Sequence, residues 1–330
     1  MKRLSTWILA SVALALAASP ALAERQPGGK TRVVPREAST PAKTARVEPK
    51  ATADAYSAQV NIVTRVQGTA FFRTAIDITN NTDVEGVIAR VQYCYTVSGG
   101  FAGCTPPTDI TLLSFFNFHT DDIIDYLGSL GVVGPDAQAS SFGTLLVTFD
   151  GVPSAFGWEG TVTARTYSAY QDNPANGTLA IAYPGSLFFE SANTTLVGTI
   201  RDTHAVTPTP AAGALRTNLG ITNTDLNGTG PVDVDLSFFD VTEGSATNGQ
   251  RVGNIIAVDG IESGEVRPLS NIWSLAAIPS SVTSVIVFAD IVNPTSGFPT
   301  IEGYANILSA GTQDGAYFEL KCADTDFCGN

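Results

Sequence analysis

Two histidines are the side chains of this sequence best suited to general acid–base chemistry. His119 lies in the stretch NFHTDD, beside Asp121 and Asp122, and His204 lies in RDTHAVTP. A hydrolytic triad needs such an imidazole between a nucleophile and a carboxylate. The G-x-S-x-G pattern of a nucleophile elbow does not occur in the sequence. We therefore expect His119 to be a loop residue beside a helix N-terminus, where the helix dipole favours the two acids, and not to be catalytic.

Acidic residues suggest two further kinds of site. A glycosidase uses paired carboxylates, but Asp233 and Asp235 are predicted on an exposed strand face, where acids serve solvation. Calcium binds through loop oxygens, and the stretch DLNGTGPVD offers Asp225, Asn227 and Asp233. These three residues are the candidate calcium ligands, with Asx turns as the alternative explanation of the stretch. A second stretch, YQDNPANG, offers Asp172, Asn173 and Asn176. No other cofactor is predicted.

Four cysteines form two pairs that are close in sequence. An even number of cysteines in an exported chain indicates disulfides. Cys94 and Cys104 flank YTVSGGFAG, which can fold back as a hairpin, and Cys322 and Cys328 close a small loop near the C-terminus. We predict both disulfides, each contributing about 2–3 kcal/mol. A four-cysteine zinc site would need C-x-x-C spacing, which is absent from the sequence.

A repeated phrase contains a second group of candidate residues. RTAIDITNNTD begins at Arg73 and RTNLGITNTD begins at Arg216, at a separation of 143 residues. Each arginine is predicted to point outward from a strand and to pair with an acid across it. Asn80 and Asn223 are predicted to end these strands, because asparagine tolerates left-handed backbone geometry.

Aromatic side chains could stack on sugars if they were exposed on one face. Trp158 and Trp273 each lie beside apolar residues or glycine, so we expect them to pack in the core or at a hinge. Tyr167 and Tyr170 are three residues apart in RTYSAY. In a strand this spacing puts them on opposite faces, so they do not form a binding platform.

Alternating apolar residues predict the strands that must position these groups. In both copies of the repeated phrase the inward side chains keep the same parity, and a second alternating strand follows. The inward residues predicted for the first copy are Phe72, Thr74, Ile76 and Ile78, then Val87, Ala89, Val91 and Tyr93. Those predicted for the second are Leu215, Thr217, Leu219 and Ile221, then Val232, Val234, Leu236 and Phe238. A sheet with one face packed on the core and the other exposed to solvent is typical of antiparallel strands.

The repetition predicts a duplicated all-β domain. Each copy holds seven to nine short strands separated by turn signals, a pattern typical of an antiparallel β-sandwich, with a closed barrel as the alternative. We expect one sandwich over residues 56–190 and another over residues 191–330. The stretches FHTDDIIDYLGSLG and NIWSLAAIP are predicted to form one or two helical turns across the end of a sheet in each copy.

The N-terminal residues are predicted to direct export. Residues 1–23 combine a basic start, a short apolar core and the small residues of a cleavage site, which indicates a signal peptide, with an uncleaved anchor as the alternative. Residues 24–55 are rich in Pro, Lys and Arg and are predicted to be a flexible leader. We therefore expect a secreted or cell-surface protein, with the periplasm left open, and no transmembrane segment.

The charge of the predicted folded part argues against one class of partner. Residues 56–330 hold nine basic and 27 acidic residues, a net charge near −18. Such a surface repels phosphate backbones, so nucleic acid is not an expected partner.

The repeated phrases carry a family resemblance. FFRTAIDITNNTD and LRTNLGITNTD, followed by ARTYSAY or GYANILS near the end of each copy, resemble tandem Ig-like β-sandwich repeats of exported bacterial proteins, many of them uncharacterised. The likeness covers most of residues 60–320 and implies an extracellular sandwich with no catalytic residues. The Cys94–Cys104 hairpin and the HTDDIIDYLGSLG segment lengthen the first copy beyond it. We expect a non-enzymatic role in surface attachment, adhesion or binding to an unidentified envelope or extracellular polymer or protein. A secreted hydrolase and a structural matrix component are the alternatives.

Overall fold

The structure is a computed structural model that describes nine stretches of the chain. These are residues 56–67, 71–151, 159–169, 178–187, 194–203, 215–225, 230–292, 299–309 and 315–323. The predicted signal peptide (1–23) and leader (24–55) lie outside the described residues and stay predictions.

Antiparallel strands dominate the described residues, which confirms the all-β prediction. The earlier strands are β1 (Tyr56–Gln67), β2 (Phe71–Asn80), β3 (Val87–Val97), β4 (Gly100–Cys104), β5 (Thr108–Leu112), β6 (Asn117–Thr120), β7 (Ser141–Asp150), β8 (Gly160–Ala169), β9 (Thr178–Pro184) and β10 (Ser186–Leu187). The later strands are β11 (Thr195–Arg201), β12 (Leu215–Asn223), β13 (Val232–Asp240), β14 (Ile256–Ile261), β15 (Val266–Leu269), β16 (Ser284–Val292), β17 (Ile301–Ser309), β18 (Gly315–Glu319) and β19 (Lys321–Cys322).

Strand pairing joins β1 to β10 into one hydrogen-bonded system, which we call the first unit. One sheet has the order β4-β3-β7-β1, with β5 also paired to β3 and β10 also paired to β1. The other has the order β2-β8-β9, with β6 also paired to β2. Strand β1 takes part in both sheets, because it pairs with β7 as far as Arg65 and then with β2 through Val66 and Gln67.

Strands β11 to β19, which we call the second unit, repeat this pairing scheme. The order β14-β13-β16-β11-β19 corresponds to β5-β3-β7-β1-β10, and β15-β12-β17-β18 corresponds to β6-β2-β8-β9. Strand β4 belongs to the added cysteine hairpin and has no counterpart among these strands; a single bridge between Phe239 and Arg251 takes its place. The repetition first seen in the sequence therefore extends to the order of the strands.

Each unit buries a core between its two sheets. The first core takes Val91 and Val147 from one sheet and Ile76 and Val162 from the other. The second core is built in the same way, and it includes Leu219, Ile221, Val234 and Val287. Of the predicted inward side chains only Leu215 is half-exposed, and all the others are buried. The alternation of the sequence thus predicted the packed faces correctly.

Short helices close the end of a sheet in each unit, as predicted. In the first unit these are α1 (Ile123–Ser129) and α2 (Pro135–Ala139), and in the second α3 (Ile272–Leu275). The Asp122 carboxylate caps α1 by accepting hydrogen bonds from the backbone N–H groups of Ile124 and Asp125, both at 3.1 Å. No helix in the described part of the chain has the length and apolar character needed to cross a membrane.

Candidate functional site

A disulfide hairpin of the first unit forms one side of the candidate site. Strand β3 turns back into β4, and Cys94 lies directly opposite Cys104 with a Cα–Cα distance of 3.9 Å. The disulfide between them confirms the first predicted bridge. Cys322 also takes part in a disulfide, and its predicted partner Cys328 lies outside the described residues.

The second unit rests on this hairpin through residues 262–265, which we call the Gly264 turn. The carbonyl oxygen of Gly264 accepts a hydrogen bond of 2.9 Å from the buried hydroxyl of Thr144. A Cβ atom on Gly264 would lie 2.6 Å from Cys94 Sγ and 2.8 Å from Cys104 Sγ, and the φ angle is +78°. Both the close approach and the left-handed backbone therefore require glycine at this position.

Polar and aromatic side chains extend the contact between the units along β1. Asn61 Oδ1 accepts from Gln59 at 2.7 Å and from the Thr222 hydroxyl at 3.4 Å, while Asn61 Nδ2 donates to the Tyr317 hydroxyl at 3.3 Å. Tyr317 stacks on Tyr304 with ring centroids 5.9 Å apart. Asn61 and Gln59 are buried on the outer face of their sheet because the second unit covers them. We call this continuous contact the seam.

A cleft of about 620 Å³ opens beside the seam. The hairpin tip (residues 96–101) forms one wall and residues 260–268 form the other, while Val66, Phe142 and Val266 line it between them. The lining is mostly apolar. The described residues that line the cleft are Val66, Thr96, Val97, Ser98, Gly100, Phe101, Phe142, Gly260, Glu262, Glu265, Val266, Arg267 and Pro268.

An arginine–glutamate pair supplies the charge on the second wall. Arg267 Nε donates to Glu265 Oε1 and Arg267 Nη2 donates to Glu265 Oε2, both at 3.0 Å, and Nη2 also donates to the Gly260 carbonyl at 3.1 Å. The backbone N–H of Glu262 donates to Glu265 Oε2 at 2.9 Å. Glu265 is buried, whereas a third of the Arg267 side chain is exposed. Its Nη1 makes no hydrogen bond within the described residues, so it can donate to an acceptor placed in the cleft.

Sequence reasoning missed this cleft. Its two walls lie about 160 residues apart in the chain, and only the docking of the units brings them together. The stretch ESGEVRPL, residues 262–269, has a composition that could have suggested a turn with charged groups, because an isolated glycine lies between two acids shortly before an arginine. Nothing in the sequence indicates that this stretch contacts a disulfide.

His119 is a strand residue, which corrects the prediction of a loop position. It lies on β6 directly opposite Asp77 on β2. Its Nδ1 lies 3.0 Å from Asp77 Oδ1 and its Nε2 lies 3.3 Å from Asp121 Oδ1. Asp122 is occupied elsewhere, as the cap of α1 and in an ion pair with Arg65. With both ring nitrogens directed at carboxylates, neither is directed at a hydroxyl or thiol as in a catalytic triad.

The two neighbouring carboxylates shift the pKa of His119. The hydrogen bond to Asp77 is the main cause that raises the pKa of His119 above 6.5; burial opposes this shift, and the hydrogen bond to Asp121 adds to it. The resulting ion pair therefore stabilises the fold fully below pH 6.5, and this contribution is lost as the pH rises through the raised pKa. We expect an NMR titration to place the midpoint above 6.5. Asp77→Asn should lower it more than the matched variant Asp121→Asn, and equal effects would contradict the assignment.

Two of the three predicted calcium ligands, Asp225 and Asp233, lie in the described residues. Asp233 Oδ1 accepts a hydrogen bond of 2.7 Å from the Gly260 N–H, and the Asp225 N–H donates to Asn223 Oδ1 at 3.1 Å. The second of these is an Asx turn of the kind expected without an ion. Asn227 lies outside the described residues. No group of three acidic, histidine or cysteine side chains in the described stretches could hold a metal ion, and calcium binding by Asp225, Asn227 and Asp233 stays a prediction.

The repeated arginines have different surroundings. Arg73 lies over the rings of Phe71 and Tyr167, at 5.5 Å and 5.3 Å from their centroids. It pairs with no acid in the described residues, so the predicted acid partner is wrong for Arg73. Burial lowers the pKa of Arg216, and the nearby Asp202 carboxylate opposes that shift. Asp202 is therefore an acid close to Arg216, but it is buried and follows β11 in the other sheet, so it is not the acid predicted across the strand.

The remaining candidates are structural or lie outside the described residues. Trp273 is buried and donates from Nε1 to the Val282 carbonyl at 2.7 Å, which confirms the core prediction. Asn80 and Asn223 end β2 and β12, as predicted. Both are buried and neither has left-handed backbone, so the reason predicted for their position is wrong. The candidates outside the described residues are Trp158, Tyr170, Asp172, Asn173, Asn176 and His204.

No family model matches the chain. No curated protein is significantly similar to it. The resemblance to exported Ig-like repeats stays an expectation from the sequence.

Proposed function

We propose that this chain is an exported, non-enzymatic binding protein made of two tandem Ig-like β-sandwiches. It attaches to a cell-envelope or extracellular polymer or protein. The observation that carries the proposal is the cleft beside the seam. A mostly apolar recess with a few fixed polar groups is the usual form of a binding site, and this recess is lined by both units.

The lining of the cleft favours a ligand with an apolar part and a hydrogen-bond acceptor. Val66, Phe142 and Val266 offer apolar contact, and Arg267 Nη1 offers a donor on one wall. The fork of hydrogen bonds to buried Glu265 already fixes the guanidinium. Little side-chain freedom is then lost on binding, which favours affinity.

A secreted hydrolase has less support than a binding protein. His119 is the one described histidine, and its two ring nitrogens are directed at Asp77 and Asp121. The cleft contains hydroxyls, at Thr96 and Ser98, and the bases among its described lining residues are the acids Glu262 and Glu265 alone. Glu265 is committed to Arg267.

Retention by the cell envelope tests the proposal. The purified protein, fluorescently labelled, is mixed with cells of the producing organism and with isolated envelope, and the bound fraction is measured against concentration. Ser98→Trp fills the cleft from the exposed hairpin tip, and Thr111→Trp puts the same side chain on exposed β5, at the other end of β3. We expect saturable retention that Ser98→Trp weakens at least tenfold and Thr111→Trp leaves unchanged.

Two results separate the parts of the proposal. Absence of retention at any concentration contradicts envelope attachment. Retention that both tryptophan variants leave unchanged contradicts the cleft as the site. A parallel titration with a calcium chelator tests the Asp225 stretch, because loss of retention on chelation would favour the predicted calcium site.

A further inference from the structure

A rigid turn of the first unit exposes three large apolar side chains. Residues 113–116, which we call the Phe115 turn, hold Leu113, Phe115 and Phe116, and these are 55%, 71% and 43% exposed. The backbone is fixed by hydrogen bonds from the Phe115 N–H to the Thr82 carbonyl and from the Asn80 N–H to the Phe116 carbonyl, both 2.9 Å. An exposed, preorganised aromatic tip is typical of an interaction surface.

The Phe115 turn is the counterpart of the Gly264 turn. In both turns the backbone N–H of the fourth residue, Phe116 or Glu265, donates to the carbonyl of the first residue. The carbonyl of that fourth residue accepts from the backbone N–H of the asparagine that ends the strand, Asn80 or Asn223. In both turns the third residue has a positive φ, +51° at Phe115 and +78° at Gly264. A bulky residue is rare in this conformation, and strained backbone of this kind is often found at functional sites.

The Gly264 turn is already docked, and its docking identifies the kind of surface that fits such a turn. It lies on the first unit at Cys94, Cys104 and Thr144. The strand registers give the equivalent positions on the second unit. Phe239 corresponds to Cys94 and pairs with Arg251, which corresponds to Cys104, while Ile286 lies opposite Phe239 as Thr144 lies opposite Cys94.

These second-unit positions form an apolar patch on the outer side of their sheet, which we call the receiving face. It consists of Phe239, Ile286 and Phe288 with Arg251 at its edge. Phe239 and Phe288 pack edge to face with centroids 5.5 Å apart, and all three apolar residues are half-exposed. The outer face of an antiparallel sheet is usually polar. An aromatic patch there matches the apolar side chains of the Phe115 turn.

We propose that the protein associates head to tail with further copies of itself, the Phe115 turn of one copy docking on the receiving face of the next. The contact repeats between chains the arrangement that the Gly264 turn has within one chain. Within one chain, Gly264 packs against the disulfide of the first unit. Between chains, Phe115 takes the equivalent position and packs against Phe239 and Ile286. Such a contact does not close on itself unless its rotation happens to form a ring, so it builds linear assemblies.

Charge at the edge of the contact supports the same partner. Ser114 Oγ donates to Glu85 Oε1 at 3.0 Å, which places a carboxylate beside the Phe115 turn. In the docked Gly264 turn the matching residue, Ser263, lies beside Cys104, the counterpart of Arg251. Docking of a second copy therefore brings Glu85 of one chain near Arg251 of the other, an attractive pair in an otherwise acidic surface.

Sedimentation of the purified protein at rising concentration tests the proposal. We expect the average mass to keep rising with concentration, and more steeply with added salt, which screens the repulsion between acidic chains. Phe115→Gly suits the turn and removes the aromatic group, so it should fold normally and weaken association roughly thirtyfold or more, as expected for loss of an aromatic anchor. Phe239→Ser should act similarly, and Phe318→Ser, an exposed phenylalanine elsewhere, should not.

A mixture of the two variants identifies the contact. Phe115→Gly keeps its receiving face and Phe239→Ser keeps its turn, so together they should form a one-to-one complex that grows no further. Charge reversal gives a second readout: Glu85→Arg and Arg251→Glu should each weaken association roughly fivefold and restore it when mixed. A wild-type chain that stays monomeric, or variants that form no mixed complex, would overturn the proposal.

Discussion

Replacing Asn80 by alanine lowers the free energy of unfolding by roughly 3 kcal/mol. The side chain is fully buried and makes four hydrogen bonds. Its Nδ2 donates to the carbonyls of Val84 and Leu113 at 2.8 and 2.9 Å, and its Oδ1 accepts from the N–H and hydroxyl of Thr82 at 3.0 and 2.7 Å. Alanine leaves all of these groups without their partner, and each one that stays buried, as those of Thr82 do, costs about 1–3 kcal/mol before relaxation.

The measurement is chemical denaturation of the wild type, Asn80→Ala and the neighbouring Asn81→Ala. Asn81 is only half-buried and its amide donates to the Thr161 hydroxyl at 3.2 Å. We expect Asn81→Ala to cost less than about 1 kcal/mol. Equal losses at the two positions would show that the buried network does not carry the stability. Because Asn80 holds Leu113, its loss should also weaken self-association through the Phe115 turn.

Asn223 shows that the repeated asparagine has one structural task in both units. Its Nδ2 donates to the carbonyls of Gly230 and Ile261, and its Oδ1 accepts from the Asp225 N–H. Each asparagine therefore links the end of one strand to the turns at the edge of the other sheet. Asn223→Ala should accordingly destabilise the second unit by a similar amount, and the turn it releases is the one that contacts the disulfide.

Local patterns were enough to predict most of the fold. Strict alternation predicted the buried faces of β2, β3 and β13, because a strand with one packed face must place every second side chain inward. The spacing of Cys94 and Cys104 predicted their hairpin for the same local reason. The role of Asn80 was not predictable, since left-handed geometry and a buried hydrogen-bond network both favour asparagine.

The candidate site depends on contacts that no local pattern encodes. Asn61 and Gln59 are polar residues on a strand, and from the sequence alone they indicate a solvent-exposed face of the sheet. The structure covers them with Thr222 and Tyr317, more than 150 residues away in the chain. Docking of the units decides whether such a face is exposed, and the cleft exists only because the docking leaves a gap beside the hairpin.

Gly264→Ala is expected to open the seam at the cost of roughly 3 kcal/mol of unfolding free energy. Left-handed backbone disfavours any side chain at this position by about 1–2 kcal/mol. The added Cβ also meets both disulfide sulfur atoms at 2.6 and 2.8 Å, and such overpacking costs a further 1–3 kcal/mol or so. Gly260→Ala is the matched control, because Gly260 has a φ of +63° and open space around its Cβ position. It should show the backbone cost alone, about 1–2 kcal/mol.

A double-mutant cycle assigns the remaining cost to the contact with the disulfide. In a Cys94→Ala, Cys104→Ala background the sulfur atoms are gone and only the Cβ atom of residue 94, at 3.0 Å, remains close. The penalty of Gly264→Ala should therefore fall most of the way to that of Gly260→Ala. An unchanged penalty would place the cost elsewhere in the turn. The same variant links stability to function: Thr144 holds the Gly264 carbonyl, and the turn holds Glu265 and hence Arg267. A displaced turn therefore removes the oriented guanidinium from the cleft, and ligand retention should fall even at temperatures where Gly264→Ala remains folded.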